Sequence, residues 1–236
     1  MAMPHETGLK DAGLSGIGGF PSIARVASRG NKLATLVSAF AFAFSGVSFY
    51  ETVLKQPRLA VFVPPVIQYA RDGGGDTELF AVPITISNDG AQAGTVLAME
   101  LVVEAMKPEA ADAKPKSFYS AFLGEHSRNA DAPNKAFAPI SISGRGTYSD
   151  TIRFYPQGNP FPHTIQDKGD YRFTLKLVTA SPRDPSWIER ILRSSPPEPI
   201  VFTRTLPWLS DQMLNFRRAN VSMHAADWQP TTSAAK

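Results

Sequence analysis

The sequence predicts an all-β fold, an antiparallel β-sandwich, behind one amino-terminal transmembrane helix. Three observations indicate this. An uncharged apolar run occupies residues 33–50, segments of alternating apolar and polar residues follow it, and 17 glycines and 20 prolines in 236 residues supply frequent turns. The chain lacks the regular strand and helix alternation that a parallel sheet needs. At this length one domain with tails is the default.

Composition excludes several classes of function. The chain has no cysteine, which excludes disulfides, thiolate metal sites and cysteine nucleophiles. Its formal net charge of +3 is mild, and no stripe of basic residues interleaved with aromatic residues is present, so nucleic acid is not a predicted partner. Charged residues make up 19% of the chain, too few for a long coiled coil or an acidic disordered protein.

Residues 1–32 have no periodicity and predict a disordered cytoplasmic tail. As a helix, residues 33–50 would rise about 27 Å, nearly the thickness of a bilayer core. Their apolar side chains are spread around every face, as a lipid-embedded helix requires. We therefore predict a retained transmembrane helix. A buried core helix and a cleaved signal peptide are the alternatives, and two small-x-small triplets, at 39–41 and 41–43, suit cleavage.

Basic residues flanking this run predict its orientation. Arg25, Arg29 and Lys32 precede it, against Lys55 and Arg58 after it. This slight bias favours a cytoplasmic amino terminus and a body on the far side of the membrane. In a bacterium the protein would lie in the inner membrane with a periplasmic domain, and residues 51–57 would form a juxtamembrane linker.

The domain predicted for residues 58–224 consists of short strands. Residues 78–87 alternate most clearly, with Pro83 indicating an edge or a bulge because proline cannot donate to a ladder. Residues 95–104 alternate next, with Leu97 and Met99 among the side chains expected to face inward. Six further strands are predicted at 58–63, 117–123, 138–143, 148–155, 171–179 and 199–206. Eight short strands separated by turns favour a sandwich.

One or two short peripheral helices are expected near the carboxyl terminus. Asp184-Pro185 is typical of an N-cap followed by a first-turn proline, and the residues after it, including Trp187 and Ile188, predict an amphipathic helix. A second helix is expected after Ser210. Residues 225–236 predict a flexible tail.

The segment Asp167-Lys168-Gly169-Asp170-Tyr171 resembles the tyrosine corner of immunoglobulin-like domains, which has the form D-x-G-x-Y. The resemblance implies an immunoglobulin-like sandwich in which the Tyr171 ring is buried and its hydroxyl bonds upstream backbone. The chain lacks the paired cysteines of antibody-type domains. The combination of the apolar run, the Val63-Pro64-Pro65 strand end and the predicted sandwich resembles uncharacterised bacterial single-pass membrane proteins. This resemblance implies no activity.

No residue is predicted to be catalytic, to bind a cofactor or to bind a metal. The histidines, His5, His126, His163 and His224, are isolated in sequence. Neither a phosphate-binding loop nor a nucleophile elbow occurs. The acids Asp72, Asp76, Glu78 and Asp89 lack the spacing of a calcium loop, so a solvated loop face is expected for them.

These observations predict a membrane-anchored periplasmic module that binds or scaffolds a protein partner, such as an accessory subunit of an envelope complex. The alternative is a periplasmic enzyme or carbohydrate-binding domain with an aromatic site on loops. An enzyme is less favoured because no catalytic set is recognisable. The residues of that alternative site would be Tyr119, Phe122, His126, Tyr155, Phe161 and His163.

Overall fold

A computed structural model describes residues 24–72, 76–106, 114–126, 134–180, 197–209 and 220–227, with side chains from residue 32 onward except that of Asp72. The chain divides into two compact units, Met1–Ser48 and Phe49–Lys236. The two predicted peripheral helices lie outside the described residues, as does nearly all of the predicted carboxy-terminal tail.

A single α-helix, α1 (Ala24–Phe49), covers the apolar run, and a π-helical turn, Tyr50–Leu54, follows it. The stretch Lys32–Leu54 is long and apolar enough to cross a membrane, with a mean hydropathy of 1.6, and none of it is buried. A signal sequence near an amino terminus satisfies the same criteria of length and composition. The helix is therefore a candidate membrane span by its length and composition.

The described residues of the second unit form eleven strands. They are β1 (Leu59–Phe62), β2 (Val66–Asp72), β3 (Thr77–Asn88), β4 (Gly94–Ala105), β5 (Lys116–Leu123), β6 (Lys135–Ala136), β7 (Ile140–Ile142), β8 (Thr147–Pro156), β9 (Gly169–Thr179), β10 (Ile200–Leu206) and β11 (Asn220–His224). All eight predicted strands are present. Sequence periodicity missed β2, β6 and β11.

Eight of these strands close into an antiparallel barrel. Following the hydrogen bonds, the order is β5, β8, β3, β2, β11, β10, β9 and β4, and β4 pairs with β5 again to complete the ring. The remaining strands add to it: β1 pairs with β3, β6 with β5, and β7 with β4.

The predicted immunoglobulin-like sandwich is therefore wrong, and with it the resemblance to single-pass proteins that carry such a domain. A sandwich keeps two sheets apart, whereas here β5 bonds to β4 on one side and to β8 on the other. Both architectures bury alternate residues of each strand, so alternation does not distinguish between them. Closure pairs both sides of the ring strands and removes most free edges.

Pro83 lies where the neighbour of β3 changes. β2 pairs with β3 from Thr77 to Ala81, and β1 pairs with the same side from Thr85 to Asn88. The two ladders are separated at Pro83, which has no N–H to donate. The interrupted edge expected from this proline is therefore observed on one side, while Pro83 stays in register with Thr151 of β8 on the other.

The inward-facing residues of the ring form one continuous core. Its largest fully buried side chains include Tyr69, Phe80, Phe118, Phe154 and Phe173, and the Phe80 ring makes edge contacts with the Phe118 and Phe173 rings at 4.9 and 5.4 Å. Leu97 was expected to face inward but is 44% exposed. A register shift between Val96 and Ala98 turns it outward.

The tyrosine corner is present as local structure. The Tyr171 hydroxyl donates to the Asp167 carbonyl oxygen at 2.6 Å, and Tyr171 is only 3% exposed. Gly169 has a φ of 145°, which favours glycine. This corner forms in a barrel as well as in a sandwich, so the motif predicted a hydrogen bond correctly and the architecture wrongly.

Candidate functional site

Strands β2 and β3 place three polar side chains inside one region of the barrel. Glu78 is fully buried and Arg71 is 7% exposed. The Tyr69 hydroxyl donates to Glu78 Oε1 at 3.0 Å and accepts a hydrogen bond from Arg71 Nε at 3.0 Å. The expectation that Glu78 belongs to a solvated loop face is wrong, because Glu78 shares the inward phase of Phe80 in β3.

This network holds the loop between β8 and β9. The backbone N–H groups of Thr164 and Ile165 donate to the Glu78 carboxylate at 2.7 and 2.8 Å, and Arg71 Nη2 donates to the Ile165 carbonyl oxygen at 3.0 Å. Ile165 is fully buried and joins the core. Lys116 Nζ also donates to the carbonyl oxygen of Pro160 at 2.6 Å. The network is thus a buried tether for the loop.

Burial governs ionisation in this region. Burial raises the pKa of Tyr69 far above its ordinary value, and the neighbouring Glu78 carboxylate raises it further, while Arg71 acts in the opposite direction. Burial lowers the pKa of Lys116, with Glu78 opposing that change. Tyr69 therefore stays protonated and acts as a hydrogen-bond donor throughout the physiological range.

The outer surface of the barrel has a different cluster, on β5 and β8. Tyr119 pairs with Tyr155 in the strand register, and Phe122 pairs with Arg153. The Phe122 and Tyr155 rings meet edge to face with centroids 5.6 Å apart, and Tyr119 is 50% exposed. We call these four residues the β5–β8 outer face.

A β-bulge places Phe122 on this face. Phe118 points inward and is fully buried, so strict alternation would point Ser120 and Phe122 inward too. The register with β8 shifts between Ser120 and Phe122, leaving Ala121 as the extra residue. Phe122 then lies opposite Arg153 on the outside, and Leu123 returns to the core.

Arg153 has an unusual environment for a cation. It is 5% exposed, and its guanidinium carbon lies 5.0 Å from the centre of the Phe122 ring, a cation–π contact. Its buried Nε has no hydrogen-bond partner, and within the described ranges no carboxylate pairs with it. An unsatisfied buried donor costs about 1–3 kcal/mol, and more when the group is charged. A carboxylate that reaches this guanidinium would therefore supply its missing acceptor.

The structure divides the six residues of the predicted aromatic site. Tyr119, Phe122 and Tyr155 lie together on the β5–β8 outer face, on strands instead of the expected loops. Phe161 and His163 form a separate pair on the β8–β9 loop, with ring centroids 5.0 Å apart. His126 is half-buried just beyond the end of β5.

Sequence reasoning missed Arg153 and Glu78. Extending the alternation of residues 80–86 back by two positions would have placed Glu78 on the inner face. For Arg153 no comparable signal existed, because its outward phase between Ile152 and Phe154 predicts ordinary exposure. In the part of the chain that the structure describes, no group of three or more metal-binding side chains could hold a metal ion.

Comparisons with known proteins assign no family. No family model matches the chain, and no curated protein matches it. One solved structure, the crystal structure of the Putative ApaA Protein from Bordetella pertussis, is similar at 14% sequence identity and a TM-score of 0.27, covering 74% of this chain and 98% of that chain. A TM-score this low establishes neither a common fold nor a common function.

Proposed function

We propose that this protein is a membrane-anchored binding module whose β-barrel engages a partner in the bacterial envelope. The observation that carries the proposal is the exposure of large apolar side chains all around α1. Phe42 is 83% exposed, Phe44 is 71% exposed and Leu33 is 70% exposed. A helix apolar on every side is suited to lipid, because water solvates such a surface poorly.

Charge supports one orientation of the anchor. Arg25, Arg29 and Lys32 precede the span, and basic residues favour the cytoplasmic side. The proposed arrangement is an inner-membrane protein with a cytoplasmic amino terminus and a periplasmic barrel. The closed barrel supports a binding or scaffolding role, since a rigid frame can present side chains in fixed positions.

Fractionation of the full-length protein tests the anchor. We expect the tagged protein to sediment with membranes, to resist carbonate washing, to require detergent for extraction and to keep its full-length mass. Replacing both Phe42 and Phe44 with arginine places two charges in the span, each costing about 2.5–3.5 kcal/mol on insertion, and should release the protein. Phe62→Arg is the matched control, because Phe62 is 62% exposed on β1.

Two results would reject the anchor. One is recovery of the full-length wild-type protein from the aqueous fraction without detergent. The other is a mature mass that lacks the amino-terminal run, which would identify it as a cleaved signal peptide.

A carbohydrate-binding domain is the second candidate function. The observation that favours it is the grouping of Tyr119, Phe122 and Tyr155 on adjacent strands. Glycan arrays probed with the detergent-solubilised protein test it, and a Tyr119→Ala variant should lose any binding observed. Binding unchanged by this variant would remove the β5–β8 outer face from consideration.

A further inference from the structure

We propose that the β5–β8 outer face binds an acidic carbohydrate, with Arg153 as the group that receives the sugar carboxylate. The inference rests on the proposed binding function and names the ligand class and the residue that recognises it. Two independent features of the face support it: a buried guanidinium whose Nε has no hydrogen-bond partner among the described residues, and an exposed aromatic ring beside it.

The first feature points to an anion. Arg153 is held in position by the Phe122 ring at 5.0 Å, so its planar donor group is already ordered before a ligand arrives. In the part of the chain that the structure describes, its Nε has no acceptor. A guanidinium binds carboxylates through two parallel hydrogen bonds, which an ammonium group cannot reproduce. A ligand carboxylate would therefore supply the partner that the described chain does not.

The second feature points to a sugar. Tyr119 is 50% exposed and lies opposite Tyr155 on the adjacent strand, next to the Phe122–Arg153 pair. The face of an aromatic ring carries negative charge density and packs against the weakly positive C–H groups of a pyranose ring. A sugar ring packed on Tyr119 would therefore lie beside the strand pair that holds Arg153.

The structure argues against a protein ligand at this face. β5 is hydrogen-bonded to β4, β6 and β8, and β8 to β3 and β5, so a peptide strand cannot add along the patch by edge pairing. Four side chains also supply much less than the roughly 800 Å² per partner of a stable protein interface. A uronic-acid-containing oligosaccharide fits the size and charge of the patch better.

Calorimetry with the full-length protein in detergent tests the proposal. The probes are tetragalacturonate, the uncharged galactose tetramer and tetraglutamate. We expect tetragalacturonate to bind and the uncharged tetramer to bind about tenfold or more weakly, because it cannot pair with Arg153. Tetraglutamate should not compete, since it lacks a sugar ring to contact Tyr119.

Variants connect the binding to these residues. Arg153→Gln and Tyr119→Ala should each weaken tetragalacturonate binding about tenfold or more, whereas Arg172→Gln, which removes an equal charge from a half-exposed position on β9, should not. Arg153→Lys keeps the charge but loses the planar donor pair, so it should also bind weakly; it is the informative variant should Arg153→Gln fail to fold.

Equal binding of the charged and uncharged tetramers would overturn the proposal, as would Arg153 variants that fold and bind normally. Tetraglutamate binding that depends on Arg153 would replace the carbohydrate with an acidic peptide. Membrane fractionation is independent of all these readouts. If the protein does not sediment with membranes but binds tetragalacturonate, the anchor proposal is wrong. If it sediments with membranes but does not bind tetragalacturonate, the carbohydrate proposal is wrong.

Discussion

Glu78 shows how one buried carboxylate can order a loop. It accepts hydrogen bonds from the Tyr69 hydroxyl and from the backbone N–H groups of Thr164 and Ile165. Hydrogen bonds to an ionised group are worth about 1.5–3 kcal/mol each, and they offset the cost of removing the charge from water. Its effect on stability should therefore far exceed that of a surface carboxylate.

Replacing Glu78 with glutamine should lower the free energy of unfolding by about 2 kcal/mol, because the neutral amide accepts these bonds less strongly and adds an unpaired N–H donor. Urea unfolding measures this change, and hydrogen exchange should show faster opening at the Thr164 and Ile165 amides. The matched control is Glu104→Gln, whose partner Arg172 lies 3.6 Å away and is half-exposed; its effect should stay below about 0.5 kcal/mol. Equal effects of the two variants would contradict the conclusion that Glu78 holds the loop between β8 and β9.

Asn88 is a second residue whose importance comes from its bonds. It is 1% exposed. Its amide donates to the carbonyl oxygens of Gln92, Ile142 and Ser143 at 2.8, 3.3 and 3.1 Å, and its side-chain oxygen accepts from the Arg58 and Gly90 amides. One side chain thus ties the β3–β4 turn to β7 and to the chain entering β1.

Asn88→Ala should cost about 3 kcal/mol of unfolding free energy, since it leaves several buried backbone groups unpaired. Thermal unfolding is the measurement. Asn159→Ala serves as the comparison, because Asn159 makes an exposed bond to the Phe161 amide and its loss should cost about 0.5 kcal/mol. A small effect at Asn88 would mean that water replaces these bonds readily.

Among the elements, β5 has the most specific construction. Its bulge at Ala121 reverses which face the following residues occupy, so that Phe122 contacts Arg153 outside while Leu123 enters the core. A shift of one residue exchanges the two faces of a strand. The aromatic cluster therefore depends on Ala121 being left out of the alternation, because a strand that included Ala121 without a bulge would point Phe122 inward.

Deleting Ala121 should remove the bulge and leave a regular strand, because Phe122 then directly follows Ser120 and alternation keeps Phe122 outside, opposite Arg153, with Leu123 in the core. The deletion should lower the free energy of unfolding by only about 0.5–1.5 kcal/mol, since it removes the hydrogen bond that the Phe137 amide donates to the Ala121 carbonyl oxygen. Ala121→Gly keeps the residue count and should cost about 0.5–1 kcal/mol. Chemical denaturation compares the two variants, and a deletion that costs several kcal/mol would show that Phe122 does not stay in register with Arg153.

Folding of the barrel raises the pKa of several tyrosines, so they stay protonated to a higher pH than in the unfolded chain. Burial raises the pKa of Tyr69 and of Tyr171, and burial together with Asp150 raises the pKa of Tyr148 to about 12. An unfolded tyrosine has a pKa of about 10. Because the folded-state values are higher, this stabilisation is complete below pH 10 and is lost as the pH rises through the folded-state pKa.

The barrel should consequently weaken in alkali. Between pH 8 and pH 11, Tyr69 alone should cost about 1.4 kcal/mol of unfolding free energy, because the unfolded phenol ionises and the folded one does not. Urea titrations at the two pH values should show a smaller pH-dependent loss for Tyr69→Phe than for the wild type. If Tyr69→Phe showed the same pH dependence as the wild type, Tyr69 would be excluded as a source of the loss of stability in alkali.

Local pattern alone determined much of this protein. The apolar run predicted α1, alternation predicted eight of the eleven strands that the described residues form, and the Asp167–Tyr171 motif predicted a hydrogen bond that is present. Each of these depends on residues close together in the chain, where helix and strand periodicity are encoded. Tyr119, Phe122 and Tyr155 were also named from sequence, although as loop residues.

Only the tertiary structure decided that the strands form a barrel. Closure depends on β5 bonding to both β4 and β8, and backbone hydrogen bonds between strands are the same whichever strands pair, so side-chain alternation does not encode them. The burial of Arg153 was decided in the same way, whereas the alternation of β3 already places Glu78 on the inner face. Whether a charged side chain lies in water or against Phe122 depends on residues distant in sequence that folding brings together.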